Sequence, residues 1–253
     1  MATILEDSKF DAERELKVVG SNPIKHDGLD KVTGRAKFGS DYFLPGMLYG
    51  RTLRSPHPHA IINGIDTSKA EALSGVKAVV TRDDFPDIEP GSVAGDLTRT
   101  AMAREKALFD GHPVAAVAAT TDLIAKEALR LIEVDYSVLP HVIDPVEAMK
   151  PDAPILHDYI RTKGLDQPSD KPTNVTERLV SQMGDIDKGF ADADFIVERE
   201  FDSKPMHQGY IEPQGCVAEY SEDGQVDLWC CTQGPYVYRN RLSEILKMES
   251  SKI

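Results

Sequence analysis

Apolar positions along the chain recur in short bursts, and their spacing predicts strands alternating with short helices. Residues 1–17 are polar and charged without a sustained period and read as a flexible tail. From Val18 the texture changes. Residues 27–34 are turn-rich, and residues 36–38 and 47–53 are strand candidates separated by Leu44-Pro45-Gly46, which predicts an antiparallel pair. Asp66-Thr67-Ser68 supplies N-cap residue types for a short helix through about Leu73, Gly75 ends it, and residues 76–81 are a buried-type strand. Residues 83–100, rich in Asp, Pro and Gly, are expected to form a long loop. Residues 114–119 are a continuous apolar strand, Thr120, Thr121 and Asp122 are cap candidates, residues 123–132 are helical and residues 133–138 alternate like a strand. These tight connections predict a right-handed βαβ unit.

Prolines 140, 145, 151 and 154 punctuate the next stretch, so a domain boundary and an extended linker fall across residues 146–178. Beyond it, residues 184–190 read as a capped short helix and residues 195–201 as a strand. A polar interruption carrying His207, Tyr210, Glu212 and Gln214 precedes a strand over residues 216–220. Ser221-Glu222-Asp223-Gly224 is a hairpin turn signal, and it returns the chain into a strand over residues 228–232. Gln233-Gly234-Pro235 breaks that strand. A helix follows over residues 236–248, with Tyr238, Leu242, Ile245 and Leu246 on one face. The junction reads either as an ordinary capped connection or as a polar site, where free N–H groups favour an anion beside the Gln233 amide.

Asp and Glu outnumber Lys and Arg by 42 to 29, a formal charge of −13 that argues against nucleic-acid or anionic-membrane partners. The three cysteines include the adjacent Cys230 and Cys231 and have no C-x-x-C spacing, so no disulfide framework, zinc site or iron–sulfur site is expected. No apolar run reaches membrane-span length, and acids stand where a secretory signal would carry basic residues. The default location is cytoplasmic.

Candidate chemistry is sparse. His57 and His59 share a face if their segment is a strand, but Pro58 disfavours that and no third ligand is close in sequence. His112, in Gly111-His112-Pro113, reads as a hydrogen-bonded turn residue. Glu212 either faces a channel or binds a buried backbone amide.

The order of segments resembles the molybdenum-cofactor-binding large subunit of the xanthine dehydrogenase and aldehyde oxidase family, which includes carbon monoxide dehydrogenase and hydroxybenzoyl-CoA reductase. Asp30-Lys31-Val32-Thr33-Gly34-Arg35-Ala36-Lys37-Phe38, Leu53-Arg54-Ser55-Pro56-His57 and Gly111-His112-Pro113-Val114-Ala115 are similar to that family's α/β hammerhead domain. Glu212-Pro213-Gln214-Gly215 and Cys231-Thr232-Gln233 are similar to its Glu-Pro segment and Ser-Thr-Gln strand end, with Cys231 replacing the usual serine. The resemblance implies an α+β fold: a hammerhead domain over residues 18–145, the linker, and the N-terminal portion of a cofactor-binding α+β domain over residues 179–253.

It further implies a molybdenum-dependent oxidoreductase acting on an aldehyde, N-heterocycle or related small molecule with water-derived oxygen. Gln233 and Gly234 would contact the molybdenum–pterin cofactor, the glutamine through an oxo ligand, with no residue ligating the metal directly. Glu212 is a possible pocket residue. The catalytic glutamate and glycine-rich loop of the family lie beyond this chain, so the expectation is a split subunit or a truncated copy, inactive alone. The remaining part of the large subunit would complete the pocket, and iron–sulfur clusters and FAD are expected on partner subunits. The alternative is a non-catalytic assembly or docking module of such a complex. A third reading, an independent acyl- or phosphate-handling enzyme using His57, His207 or Glu212, lacks any supporting motif.

Overall fold

The computed structural model describes residues 16–167 and 169–253; most of the tail read from the sequence, residues 1–15, lies outside the described residues. In chain order the elements are α1 (Gly28–Val32), β1 (Tyr49–Arg54), β2 (Ala60–Asp66), α2 (Ser68–Glu71), β3 (Val76–Val80), α3 (Val93–Ala101), β4 (Lys106–Ala107), β5 (Pro113–Ala119), α4 (Asp122–Leu131), β6 (Glu133–Val138), α5 (Pro145–Ala148), α6 (Ile186–Ala191), β7 (Cys216–Tyr220), β8 (Val226–Cys230) and α7 (Pro235–Leu246). The class is α+β, with every paired strand antiparallel among the described residues. None of the described helices is long and apolar enough to cross a membrane.

The expected βαβ unit does not form. β5 is the centre of a sheet ordered β1-β5-β3, with Leu53 opposite Ala115 and Val79 opposite Val117. β6 belongs to a second sheet, ordered β4-β2-β6. The apolar run of β5 has a different cause from parallel pairing: the strand is covered on both faces. Ala115, Val117 and Ala119 pack with Ala70 of α2 and Ala125 and Ala128 of α4, while Val114 packs with Ile62 of β2 and Ala103. Small side chains at the helix contact let α4 lie close on the sheet, so the layer tolerates little added volume.

Thr121 caps α4 by accepting from the Ile124 N–H at 3.2 Å. Its first turn is tied to β1, because Arg51 reaches Asp122 at 2.5 Å and Lys126 reaches the same carboxylate at 2.7 Å. The Arg51 hydrogen bond first, then Lys126, brings the Asp122 carboxyl down to about 2. A folded-state value below the ordinary 3.8 contributes stability that is complete above that pH and lost as pH falls towards 2. Asp122→Asn is therefore expected to flatten the loss of stability between about pH 4 and about pH 2, read as urea midpoints. An unchanged acid slope would refute the assignment.

Three further expectations change. Residues 36–38 form no strand; the Phe38 N–H bonds to Asp41 Oδ2 at 2.9 Å and closes a 3-10 turn, Gly39–Asp41, so β1 pairs with β5 instead. The long loop over residues 83–100 contains α3, begun by Ser92, whose hydroxyl accepts from the Gly95 N–H at 3.0 Å. Residues 195–201 pair with no strand among the described residues, and Phe195 and Phe201 are about nine-tenths exposed. The segment between the two sheets and α6 is held locally by Asn174, which donates to the Ala148 and Pro154 carbonyls at 3.0 Å and accepts from Leu156 N–H at 3.1 Å.

α3 also lies against α7. Tyr159 donates to Asp96 of α3 at 2.7 Å, and burial first, then that bond, pushes its hydroxyl up to about 12.

Candidate functional site

β7 and β8 form a hairpin in which Cys216 faces Cys230 and Val217 faces Trp229. The strand stops at Cys230, and the Thr232 hydroxyl accepts from the Gly234 N–H at 3.2 Å, turning the chain into α7. Gly234 is the N-cap and Pro235 the first helical residue, where a missing N–H costs nothing. Tyr42 stacks on Trp229 with ring centroids 5.3 Å apart, bringing the segment after the 3-10 turn onto this hairpin.

Beside the junction is a cavity of 460 Å³. Cys231, Gln233 and Tyr238 line it from the strand end and α7, and Tyr210, Glu212 and Gln214 line it from the preceding segment. Two residues singled out from the sequence, Glu212 and Gln233, thus share one cavity. Glu212 lines the cavity, and its Oε1 accepts from the N–H of the buried Gly39 at 3.4 Å. Gln214 Nε2 donates to the Tyr210 hydroxyl, which orders the far wall. The Cys231 thiol points at the Gly215 carbonyl, 3.8 Å away.

Gly234 is not among the lining residues, and its N–H is already taken by Thr232. The other candidates lie elsewhere. His57 packs edge-on to Tyr136 at 5.1 Å, and His59 Nδ1 bonds the Pro140 carbonyl at 2.7 Å. His112 is fully buried between Leu108 N–H and the Arg99 carbonyl, and burial lowers its pKa. The His207 ring accepts from Gly209 N–H at 3.0 Å. No described group of three His, Cys, Asp or Glu side chains could hold a metal.

A second cavity, of 410 Å³, is lined by Arg99, Arg104 and Lys106. Its cations are occupied: Arg99 and Arg104 donate to backbone carbonyls, and Lys106 to Asp158 at 2.9 Å.

Gly39 escaped sequence reasoning, because a contact 173 residues away in sequence leaves no local signal. A Cβ there would stand 3.2 Å from the Gly215 carbonyl and 3.6 Å from the Cys231 nitrogen. The absence of a side chain at Gly39 is thus what lets the 3-10 turn sit against the cavity wall.

A family model for the aldehyde oxidase and xanthine dehydrogenase a/b hammerhead domain matches residues 33–140, and one for the molybdopterin cofactor-binding domain matches residues 167–253. The chain is 35% identical to a probable xanthine dehydrogenase component of Bacillus subtilis, over 91% of this chain and 29% of that protein. It is 34% identical to the carbon monoxide dehydrogenase large chain of Afipia carboxidovorans, over 99% of this chain and 32% of that protein. The reconstituted CO dehydrogenase of Oligotropha carboxidovorans superposes with a TM-score of 0.73 at 32% identity, covering 92% of this chain and 30% of that one. The chain thus combines a hammerhead domain with a molybdopterin cofactor-binding domain. It belongs to the xanthine dehydrogenase and aldehyde oxidase family, and corresponds to the N-terminal part of the molybdenum-cofactor-binding large subunit. It spans under a third of the length of these two relatives.

The donor set fits a molybdenum–pterin group in kind. The cavity is edged by the Gln214 and Gln233 amides and the Tyr210, Thr232 and Tyr238 hydroxyls, beside the Glu212 carboxylate and the Cys231 thiol, and such hydrogen-bonding groups suit a cofactor that brings its own metal ligands.

Proposed function

We propose that the chain is part of a molybdenum hydroxylase and supplies one wall of its cofactor pocket, with Gln233 as the principal contact. The observation that carries this reading is the convergence of Gln233 and Glu212 on the 460 Å³ cavity, from segments on either side of the β7–β8 hairpin. When bound, the molybdenum–pterin group supplies the redox change and oxygen transfer by which an aldehyde, N-heterocycle or related molecule is oxidised.

This chain's own residues bind and orient. An amide at Gln233 donates a hydrogen bond without changing charge, and Glu212 braces the opposite wall through Gly39. Gly234 shapes the turn that aims Gln233, with its N–H closed onto Thr232. Activity requires the remaining walls of the large subunit, and iron–sulfur and flavin subunits carry the electrons away. The exposed Phe195, Phe201, Met206 and Ile211 support the need for a covering partner segment. On this reading the isolated chain does not turn over.

The test is Gln233→Ala in the assembled complex. Turnover is expected to fall about 100-fold, with subunit composition unchanged and a weakened hold on the cofactor seen as molybdenum loss on dialysis. Unchanged turnover and molybdenum content would remove Gln233 from the site.

A further inference from the structure

We propose that Cys216 and Cys230 form a peroxide-oxidisable dithiol that closes a disulfide across the β7–β8 hairpin. The register places the two residues directly opposite each other. The hairpin's hydrogen-bond phase makes them a close pair. Ser221 N–H donates to the Gln225 carbonyl at 3.0 Å and Gly224 N–H to the Ser221 carbonyl at 2.9 Å, with Gly224 at φ +82°. Residues 221 and 225 are therefore a hydrogen-bonded pair closing a three-residue loop.

Such pairs alternate with non-hydrogen-bonded ones along an antiparallel ladder. Counting away from the loop through Tyr220 with Val226, Glu219 with Asp227, Ala218 with Leu228 and Val217 with Trp229, the Cys216–Cys230 pair falls at a non-hydrogen-bonded position. Cα atoms there are about 4.5 Å apart, within the roughly 4.4–6.8 Å span of disulfides.

The third thiol is set apart. Successive residues of a strand face opposite sides, so Cys231 is directed away from Cys230. It turns to the Gly215 carbonyl and lines the cavity that holds Gln233. Cys230 instead lines a 320 Å³ cavity between β8 and α7, and burial first, then the neighbouring cysteines, raises its thiol pKa. Cys216 is exposed.

These environments assign the order of events. The Cys216 thiolate attacks one oxygen of hydrogen peroxide, the O–O bond breaks, and one water leaves with the proton from Cys216, giving a sulfenic acid. The Cys230 sulfur then attacks the sulfenic sulfur. An S–S bond forms, the S–O bond breaks, and the hydroxyl leaves as a second water with the proton from Cys230. Two thiols are oxidised by two electrons and one peroxide is reduced to two waters; a small dithiol reverses the step by exchange. The bond would fasten the strand just before Thr232 and Gln233.

The test treats the full chain with hydrogen peroxide and counts thiols with a maleimide after unfolding. The count is expected to fall from three to one and return to three with dithiothreitol. Cleavage after acidic residues separates Cys216 from Cys230, because Glu219, Glu222, Asp223 and Asp227 lie between them. The non-reduced digest should therefore contain the Cys216 peptide joined to the peptide bearing Cys230. Cys231→Ser should keep that linkage and Cys230→Ser should lose it. Three free thiols after peroxide, a linkage between chains, or a linkage that survives Cys230→Ser would overturn the proposal. Fragmentation of the linked wild-type peptide between Cys230 and Cys231 assigns the bonded sulfur, so a bond found on Cys231 overturns the proposal even where a variant fails to fold.

Discussion

His112→Ala is expected to cost the hammerhead domain about 3–5 kcal/mol, enough to leave it largely unfolded in mild urea. The ring is fully buried and stacks on Phe109 with centroids 4.2 Å apart. Its Nδ1 accepts from Leu108 N–H at 3.1 Å, which leaves the proton on Nε2 to donate to the Arg99 carbonyl at 2.7 Å. Truncation leaves a buried donor and a buried acceptor without partners and opens a void beside them. Burial is also the first cause of the lowered imidazole pKa. A depressed folded-state value means that stability is complete above the ordinary 6.5 and declines as pH falls through the lowered value. A loss under about 1 kcal/mol in urea unfolding would show that the ring is a spectator.

Gly95→Ala should be nearly as damaging, costing about 3 kcal/mol. A Cβ at Gly95 would lie 2.0 Å from the Glu89 carbonyl oxygen and 2.9 Å from the Ser92 hydroxyl, so either α3 moves or its cap breaks. Because α3 also lies against α7, the displacement reaches the helix that follows Gln233. Val93→Ala is the control, since Val93 is mostly exposed in the same turn and should change stability by less than about 0.5 kcal/mol. Equal midpoints for the two variants, by thermal or urea unfolding, would refute the steric argument.

Local chemistry was legible where a signal stood beside its effect. Thr121 before α4, Asp185 before α6, the turn at Gly224 and Pro235 at the start of α7 all act as their sequence context implies. Signals that depend on a distant partner were not. The apolar run of β5 reports burial on two faces, and nothing in it distinguishes a parallel neighbour from the antiparallel β1 and β3. α3 was hidden because Pro90, Gly91 and Gly95 give a loop's composition to a segment whose helix starts at Ser92.

The site followed the same division. Gln233 and Glu212 were visible as residues, through a strand-to-helix junction and a family likeness. That Gly39 braces Glu212 follows only from the tertiary contact between them. The resemblance supplied the family and the α+β class, both of which agree with the matching domains and the structural neighbour.

The pairing of β1 with β5, and of β2 with β6, sets a timetable for the ribosome. Neither β1 nor β2 has its main partner until residues 119 and 138 have been made. At about 5–20 residues per second, both strands must wait for several seconds with unpaired edges as the chain emerges. The hammerhead's first half therefore waits unpaired before any residue of the cofactor-binding domain has been translated.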